Sequence, residues 1–148
     1  MQFVRLALVL AMLLSFTSCM SIARMMVSTE NGENNWIIVE GATRDGATLT
    51  FPEVHIDGNG WLVIHPFEDG APNGDIYTGS TYLNDGDNYN VEITVDPALG
   101  TGDMLFVMLH RDVNENQEFD FVFVDPINVL DKAVMEGLTL VGHAIPAP

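Results

Sequence analysis

The chain has 148 residues, of which 21 are acidic and only five are Lys or Arg, so its formal net charge at pH 7 is −16. The length is that of a single domain. The negative charge repels nucleic acid and anionic lipid heads, and we therefore expect no nucleic-acid partner. Because Cys19 is the only cysteine, no internal disulfide is available, and the fold must rest on a packed core.

The N-terminal residues have the pattern of a secretory signal peptide. Met1 to Arg5 form a short cationic region. The apolar run over residues 6–16 is too short to cross a bilayer core, which needs ~20 apolar residues. The pattern predicts a signal peptide over residues 1–18 and an exported protein.

Cys19 follows small residues at the end of the apolar run and resembles the lipid-attachment cysteine of bacterial lipoproteins. The resemblance implies a membrane anchor, since a diacylated cysteine carries enough hydrocarbon for stable attachment. Met20 follows in place of Asp, which favours the outer membrane or cell surface. The alternatives are ordinary cleavage near residues 21–23 or an uncleaved anchor. Removal of residues 1–18 would take away Arg5 and no acid, and the net charge would become −17.

The remaining chain divides into a tether and a domain. Residues 19–35 lack apolar periodicity and predict a flexible tether behind the lipidated cysteine. From Trp36 onward, short apolar runs alternate with turn residues, a pattern typical of a β-sandwich or barrel. We predict an all-β domain over residues 36–148, an antiparallel immunoglobulin-like β-sandwich of about seven to eight strands. The expected strands are residues 36–40, 48–51 with 54–56, 61–65, 76–83, 89–95, 104–109, 119–124 and 138–145.

Three details refine this prediction. Residues 61–65 and 104–109 are apolar on both faces, which predicts that they are central strands. Pro52 interrupts the second apolar run and favours an edge or a bulge there. Residues 128–136 are compatible with one helical turn or with a loop.

A stretch between two apolar runs has oxygen-bearing side chains at alternate positions. Ca²⁺ takes about six to eight oxygen ligands, and a curled loop with carboxylates and amides at positions 1, 3, 5 and 9 supplies most of them, with a backbone carbonyl at position 7. The stretch is no EF-hand, because Gln117 and Phe123 stand where that motif has Gly and Glu. We expect a Ca²⁺ loop; the alternative is a solvated loop closed by Asx-turns. The candidate ligands are Asp112, Asn114, Asn116, Glu118 and Asp120.

Two histidines, His65 and His110, each end a central apolar run. If the two strands are neighbours, both imidazoles lie at one end of the sandwich and, with a nearby carboxylate, form a plausible Zn²⁺ or Cu²⁺ site. The alternative is that each histidine donates a hydrogen bond that holds a loop in place. His55 and His143 are isolated in the sequence.

Several segments together resemble a domain of unknown function found in surface proteins of haloarchaea and in exported bacterial proteins. They are residues 60–65, 79–83 with Gly86, and 105–112 with Asn114, Asn116 and residues 119–121. The resemblance covers residues 47–145 and implies an immunoglobulin-like sandwich outside the cell, with no established activity. Related domains often have Gly where this chain has Glu115 or Gln117, a departure that bears on the curl of the polar loop.

Enzymatic motifs are absent from the sequence. Ser28 and Ser80 lack a Gly-x-Ser-x-Gly frame, and neither a His-Glu-x-x-His motif nor a phosphate-binding glycine loop is present. We predict a non-enzymatic surface module for binding or envelope structure, with a protein or glycan partner that the sequence does not identify. The alternatives are a transition-metal protein using His65 and His110, and an unrecognised hydrolase with two carboxylates that lie far apart in the chain.

Overall fold

The computed structural model describes residues 28–121 and 130–148, and the regular structure of those residues is entirely β. The predicted signal peptide, Cys19 and most of the predicted tether lie outside the described residues. The strands are β1 (Ser28–Glu30), β2 (Trp36–Ile38), β3 (Thr43–Asp45), β4 (Thr48–Ile56), β5 (Gly60–Glu68), β6 (Ala71–Pro72), β7 (Gly79–Leu83), β8 (Gly86–Thr94), β9 (Met104–Arg111), β10 (Met135–Glu136) and β11 (Thr139–Pro146).

The strands form two sheets. The first sheet has the order β1-β11-β9-β5-β6, with β10 paired to β11 and β7 paired to β5. The second sheet has β4 at its centre, with β8 on one side and β2 and β3 on the other. Within the described residues, all strand pairs are antiparallel except β1 with β11. The predicted all-β antiparallel sandwich is confirmed, and several of its strands are only two or three residues long.

The core lies between the facing sides of the two sheets. Side chains alternate along each strand, so every second residue of β5 and β9 faces the core. Those residues are Leu62, Ile64, Leu105, Val107 and Leu109, and they meet Leu49, Phe51, Val54, Ile56, Val91 and Ile93 of the second sheet. Complete burial of such a side chain stabilises the fold by roughly 1.5–3 kcal/mol.

Both faces of β5 and β9 are buried, as the two-sided apolar pattern predicts. The residues that point away from the core are Trp61, Val63 and His65 of β5, opposite His110, Met108 and Phe106 of β9. We call this set the outer face; none of its members is more than 8% exposed. Because no third sheet is present in the described residues, a loop must cover this face.

Pro52 lies inside β4, which joins two predicted runs into one strand of nine residues. On one side of β4, the pairing with β2 extends to Glu53 and the pairing with β3 extends to Thr50. Pro52 therefore lies between the segments of β4 that pair with the short strands β2 and β3, so its missing N–H removes no hydrogen bond to either strand.

Regular structure begins before the predicted position, Trp36. Strand β1 pairs with β11, and the Asn31 carboxamide oxygen accepts the Ile37 N–H at 2.8 Å. Residues 28–35 thus pack on the domain, so the predicted tether extends too far.

One expected strand is not formed as predicted. Residues 119–121 are not a strand, and residues 122–124 of that expected strand lie outside the described residues. The described part of the chain contains no helix long and apolar enough to cross a membrane.

Candidate functional site

The polar loop, residues 112–120, follows β9 and is closed by its own hydrogen bonds. The Asp112 carboxylate accepts the backbone N–H of Asn116 at 3.3 Å and that of Gln117 at 3.0 Å. The Asp120 carboxylate accepts the side-chain amides of Asn114 at 3.0 Å and Asn116 at 2.7 Å. The side chains of Asn114, Asn116 and Asp120 are therefore brought together, whereas the Asp112 carboxylate contacts the backbone of the loop.

The fifth predicted ligand, Glu118, is placed differently. Its side chain is exposed, and its backbone N–H donates to the Asn116 carboxamide oxygen at 2.8 Å. This bond, which joins a side-chain oxygen to the backbone two residues further on, is the Asx-turn that the alternative requires. Among the described residues, no group of three or more His, Cys, Asp or Glu is arranged to hold a metal ion.

The curl of the polar loop depends on left-handed backbone at two residues that are not glycine. Glu115 has φ of 55° and Gln117 has φ of 59°. These are the two positions at which the resemblance described above implies Gly in related domains. The loop therefore reaches its tight geometry without glycine, at a cost of roughly 1–2 kcal/mol for each residue.

Asp131 links the polar loop to the outer face. Its buried carboxylate accepts the Asp120 N–H at 2.6 Å and the Val113 N–H at 3.4 Å. Its backbone oxygen accepts a hydrogen bond from His110 Nδ1 at 2.7 Å. Burial raises the pKa of Asp131. Sequence reasoning missed this residue, because it lies in the unassigned stretch of residues 128–136 and no local motif marks it.

His65 and His110 meet on the outer face, as the sequence predicts for neighbouring strands. Their Nε2 atoms are 3.3 Å apart, and neither residue has measurable exposure, at 0% each. His65 Nδ1 lies 2.6 Å from the Ile76 carbonyl oxygen, and His110 Nδ1 has the equivalent bond to Asp131. Each Nδ1 must donate, because a carbonyl oxygen only accepts.

The protonation of the pair follows from this geometry. Burial lowers the pKa of His65, and burial lowers the pKa of His110 to about 4. Both rings are therefore neutral at pH 7, and each has its one proton on Nδ1. The two Nε2 atoms then face each other as acceptors, and neither has a proton to donate.

Aromatic rings cover the histidine pair. The rings of Phe119 and Phe121 lie edge-to-face against His110, with centroids 5.3 and 5.2 Å away. Tyr77 packs on Phe119 at 4.9 Å, and Trp61 lies 5.5 Å from the same ring. This is why residues 119–121 leave the strand conformation: their phenyl groups form the cover that the outer face requires.

The other two histidines lie apart from this pair. His55 stacks on Trp36 with centroids 4.0 Å apart, and its Nδ1 is 2.5 Å from the Asp87 carboxylate. His143 Nε2 bonds the Asn31 carboxamide oxygen at 2.8 Å. Both imidazoles therefore make contacts that help to hold the fold together.

A pocket of about 480 Å³ lies elsewhere, between the β1–β2 connection and β10. Its main carboxylate, Glu136, accepts the backbone N–H groups of Glu33 at 2.8 Å and Asn34 at 3.0 Å, and the Asn35 amide at 2.8 Å. Burial raises the pKa of Glu136, but these hydrogen bonds outweigh it and lower the pKa below its usual value. An ionised carboxylate engaged in this way holds a loop and is poorly placed to act as an acid or base.

Comparisons with known proteins find similarity to cell surface proteins. Cell surface glycoprotein 2 of Haloarcula hispanica is 30% identical over 77 residues, which cover 52% of this chain and 8% of the glycoprotein. Cell surface glycoprotein 1 of the same organism is 27% identical over 77 residues, with the same coverage. No solved structure matches. The sequence profile described as "Domain of unknown function (DUF7282)" matches residues 35–140.

Proposed function

This chain belongs to the DUF7282 family of domains of unknown function, and from that membership we propose that it is a non-enzymatic structural module displayed outside the cell. The similarity to haloarchaeal surface glycoproteins carries this proposal. The matched region is only 8% of each glycoprotein, which is the relation expected of a small module used within larger surface proteins. The name "cell surface glycoprotein" fixes a location for those relatives and suggests the same one here.

The charge supports this setting. A chain with a net charge of −16 repels itself, and counter-ions in a salty or divalent-rich medium screen that repulsion. An extracellular module is exposed to such a medium directly. In this role the sandwich presents its loops to a protein or glycan partner at the cell surface.

The anchor in this proposal is the lipid on Cys19. The test is expression of the full chain with a C-terminal tag in its native cells, followed by membrane fractionation and protease treatment of intact cells. We expect the tag to be protease-accessible and membrane-bound, and the Cys19→Ala chain to leave the membrane fraction. Retention of Cys19→Ala in the membrane would contradict the lipid anchor alone, whereas full protection from protease would contradict display outside the cell.

We also propose that Ca²⁺ stabilises the polar loop, with the affinity of about 10⁻⁴–10⁻³ M that is typical of extracellular modules. The meeting of the Asn114, Asn116 and Asp120 side chains, with the Asp112 carboxylate bonded to the backbone of the same loop, supports this idea. A cation there would neutralise two carboxylates and would replace weak amide contacts with ionic ones.

Thermal unfolding with and without Ca²⁺ tests the loop. A ligand that binds only the folded state adds about 2.7 kcal/mol at a hundredfold excess over Kd. We expect a rise in Tm with millimolar Ca²⁺ that Asp120→Asn abolishes. Glu118→Gln is the matched control, because it removes one nearby charge but keeps the backbone carbonyl, and it should retain the rise. An equal response of all three proteins to Ca²⁺ would reject the loop as the site.

A further inference from the structure

We propose that Asn73 is a site of spontaneous modification, at which the side chain closes to a succinimide and then opens to aspartate or isoaspartate, and that this change loosens the loop beside His65. The observation that carries the inference is the state of the two reacting groups. Within the described residues, the Gly74 N–H makes no hydrogen bond, whereas the Asn73 carboxamide is held in place. The proposal depends neither on the surface role nor on the Ca²⁺ loop.

The sequence contains three Asn–Gly pairs, which begin at Asn31, Asn59 and Asn73. Glycine after asparagine favours this reaction, because a backbone without a Cβ turns easily and brings its nitrogen to the Cγ of the asparagine. The sequence alone makes the three pairs equivalent. The structure distinguishes them through the surroundings of each glycine.

Two of the three glycine nitrogens are held by the fold. The Gly32 N–H donates to the Asn35 carbonyl oxygen at 2.8 Å, and a Cβ at Gly32 would overlap the Glu136 carboxylate. Gly60 is buried at the start of β5, where it pairs with β7 and β9 and a Cβ would overlap the His110 carbonyl oxygen. Attack at either pair requires the local structure to open first, so the folded protein protects Asn31 and Asn59.

Gly74 has different surroundings. It is exposed in the loop between β6 and β7, residues 73–78. No hydrogen bond of its N–H is present in the described part of the chain, and a Cβ at this position would meet no atom within 4 Å. The Gly74 nitrogen therefore turns toward Asn73 without the loss of a contact of its own.

The Asn73 carboxamide is oriented and polarised by its neighbours. Its Oδ1 accepts the Asp75 N–H at 3.0 Å, and its Nδ2 donates to the Glu68 carboxylate at 2.6 Å. A donor on Oδ1 stabilises the negative charge that this oxygen gains when a nucleophile attacks Cγ. The Asn73 N–H also donates to the Pro66 carbonyl oxygen at 2.8 Å, which anchors the residue. The electrophile is thus held in place, and the nucleophile is the group that moves.

The reaction needs only water. The Gly74 nitrogen attacks Cγ of Asn73 and forms a C–N bond, the bond from Cγ to Nδ2 breaks, and the proton of the Gly74 nitrogen leaves with Nδ2 as ammonia. Water then adds to one of the two carbonyl carbons of the cyclic imide. Opening on one side gives aspartate, and opening on the other gives isoaspartate, with the main chain routed through Cγ.

Either product weakens the contacts that hold the loop. Loss of Nδ2 replaces the donor to Glu68 with a carboxylate, so two negative groups face each other. Isoaspartate also adds a carbon to the main chain between the Pro66 anchor and Ile76. The Ile76 carbonyl oxygen accepts the His65 Nδ1 proton at 2.6 Å. The modification therefore acts on the bond that joins this loop to the outer face.

The test compares the three pairs in the purified full chain. The protein is incubated in mildly alkaline buffer, either native or in urea, and each site is followed by peptide mass spectrometry, with enzymatic methylation to identify isoaspartate. We expect native Asn73 to convert at least tenfold faster than native Asn31 or Asn59, and urea to bring the three rates together. Equal rates in the native protein would overturn the proposal. Absence of conversion at Asn73 over a period that converts the chain in urea would also overturn it.

Gly74→Ala is the matched variant. Gly74 has no positive φ, and the space around it accepts a methyl group, so the variant should fold as the parent does. The methyl group restricts the turn of the backbone nitrogen, and conversion of Asn73 should slow at least tenfold. Undiminished conversion in Gly74→Ala would show that this nitrogen does not attack Cγ and would overturn the mechanism.

Hydrogen exchange tests the effect on the loop. The converted chain has one more negative charge, so anion exchange separates it from the parent. Exchange at the Thr78 N–H, which donates to the Ile64 carbonyl oxygen at 2.8 Å, should be faster in the isoaspartyl chain. The Gly32 N–H is the control and should exchange equally in both. Equal exchange at Thr78 would overturn the proposed loosening.

Discussion

His65 and His110 face each other through Nε2 atoms 3.3 Å apart while both Nδ1 atoms are bonded to carbonyl oxygens. At neutral pH, both rings should therefore give the Nδ1–H pattern in ¹⁵N spectra. His143 is an internal control, because its Nε2 donates to the Asn31 carboxamide oxygen and the ring should give the opposite pattern. An Nε2–H tautomer on either paired histidine would contradict the geometry.

The lowered pKa of His110 predicts a specific loss of stability in acid. Burial brings this pKa from 6.5 to about 4, so between these values the unfolded chain binds more protons than the folded one. Stability should therefore fall as the pH decreases from about 6.5 to about 4, by on the order of 3 kcal/mol for this residue. Denaturant unfolding in EDTA at several pH values measures the fall. His110→Gln should have a flatter profile than the parent; identical profiles would reject the prediction.

Asp131→Asn should destabilise the domain by about 1–3 kcal/mol, because the Asn side chain has only one acceptor oxygen for the N–H groups of Val113 and Asp120. Asn tolerates the positive φ of 50° at this position, so the backbone is not the cause of the loss. Thermal and denaturant unfolding measure the effect. Glu118→Gln, on an exposed side chain of the polar loop, should stay within about 0.5 kcal/mol of the parent. Equal stability of the two variants would show that Asp131 is not an essential support.

Gln117→Gly should raise the free energy of unfolding by about 0.5 kcal/mol. The left-handed φ of 59° costs the Gln side chain roughly 1–2 kcal/mol, and Gly removes that cost while it adds about 0.4–1 kcal/mol of unfolded-state entropy. Glu118→Gly, at a position without positive φ, gains only the entropy and should be less stable than the parent. A loss in both variants would mean that the loop relaxes its strain in solution.

The lowered pKa of Glu136 predicts that the stability of the segment after the N-terminal strand depends on pH. Its pKa is lowered in the folded state, because hydrogen bonds to the carboxylate outweigh desolvation. Its contribution is therefore present at neutral pH and is lost as the pH falls through the folded-state pKa. Hydrogen exchange at the Glu33 and Asn34 amides, which donate to this carboxylate, should accelerate in acid relative to other surface amides. Glu136→Gln should show fast exchange there already at pH 7.

The fold followed from short-range patterns that the sequence displays directly. Alternation along residues 89–95 and the two-sided apolar runs at 61–65 and 104–109 reflect which faces are buried, and β8, β5 and β9 lie where those patterns indicate. Pairing of β5 with β9 also brings His65 and His110 together. That contact was predictable because each histidine ends a central run.

What the sequence did not reveal is set by contacts between distant residues. Asp131 acquires its role from Asp120 and His110, which are brought to it by the path of the chain after β9. Phe119 and Phe121 alternate like strand residues, but their rings serve as a cover because the outer face has no other layer. Strand β1 is exposed and polar, so only its pairing with β11 identifies it as part of the domain.

The parallel pairing of β1 with β11 also determines how the domain would respond to mechanical tension. A pull on the chain through Ser28 acts along the axis of β1, and it is resisted by the hydrogen bonds between β1 and β11, which lie across the direction of pull; the two strands are in register from Ser28 opposite Thr139 to Glu30 opposite Val141. Those bonds are loaded in shear and share the force, whereas an antiparallel hairpin pulled from its open end would give way one bond at a time. If the domain is attached to a surface through its N-terminal side, fluid drag would therefore load the pairing of β1 with β11 in shear. Of the two loading geometries, shear is the one that resists the larger force.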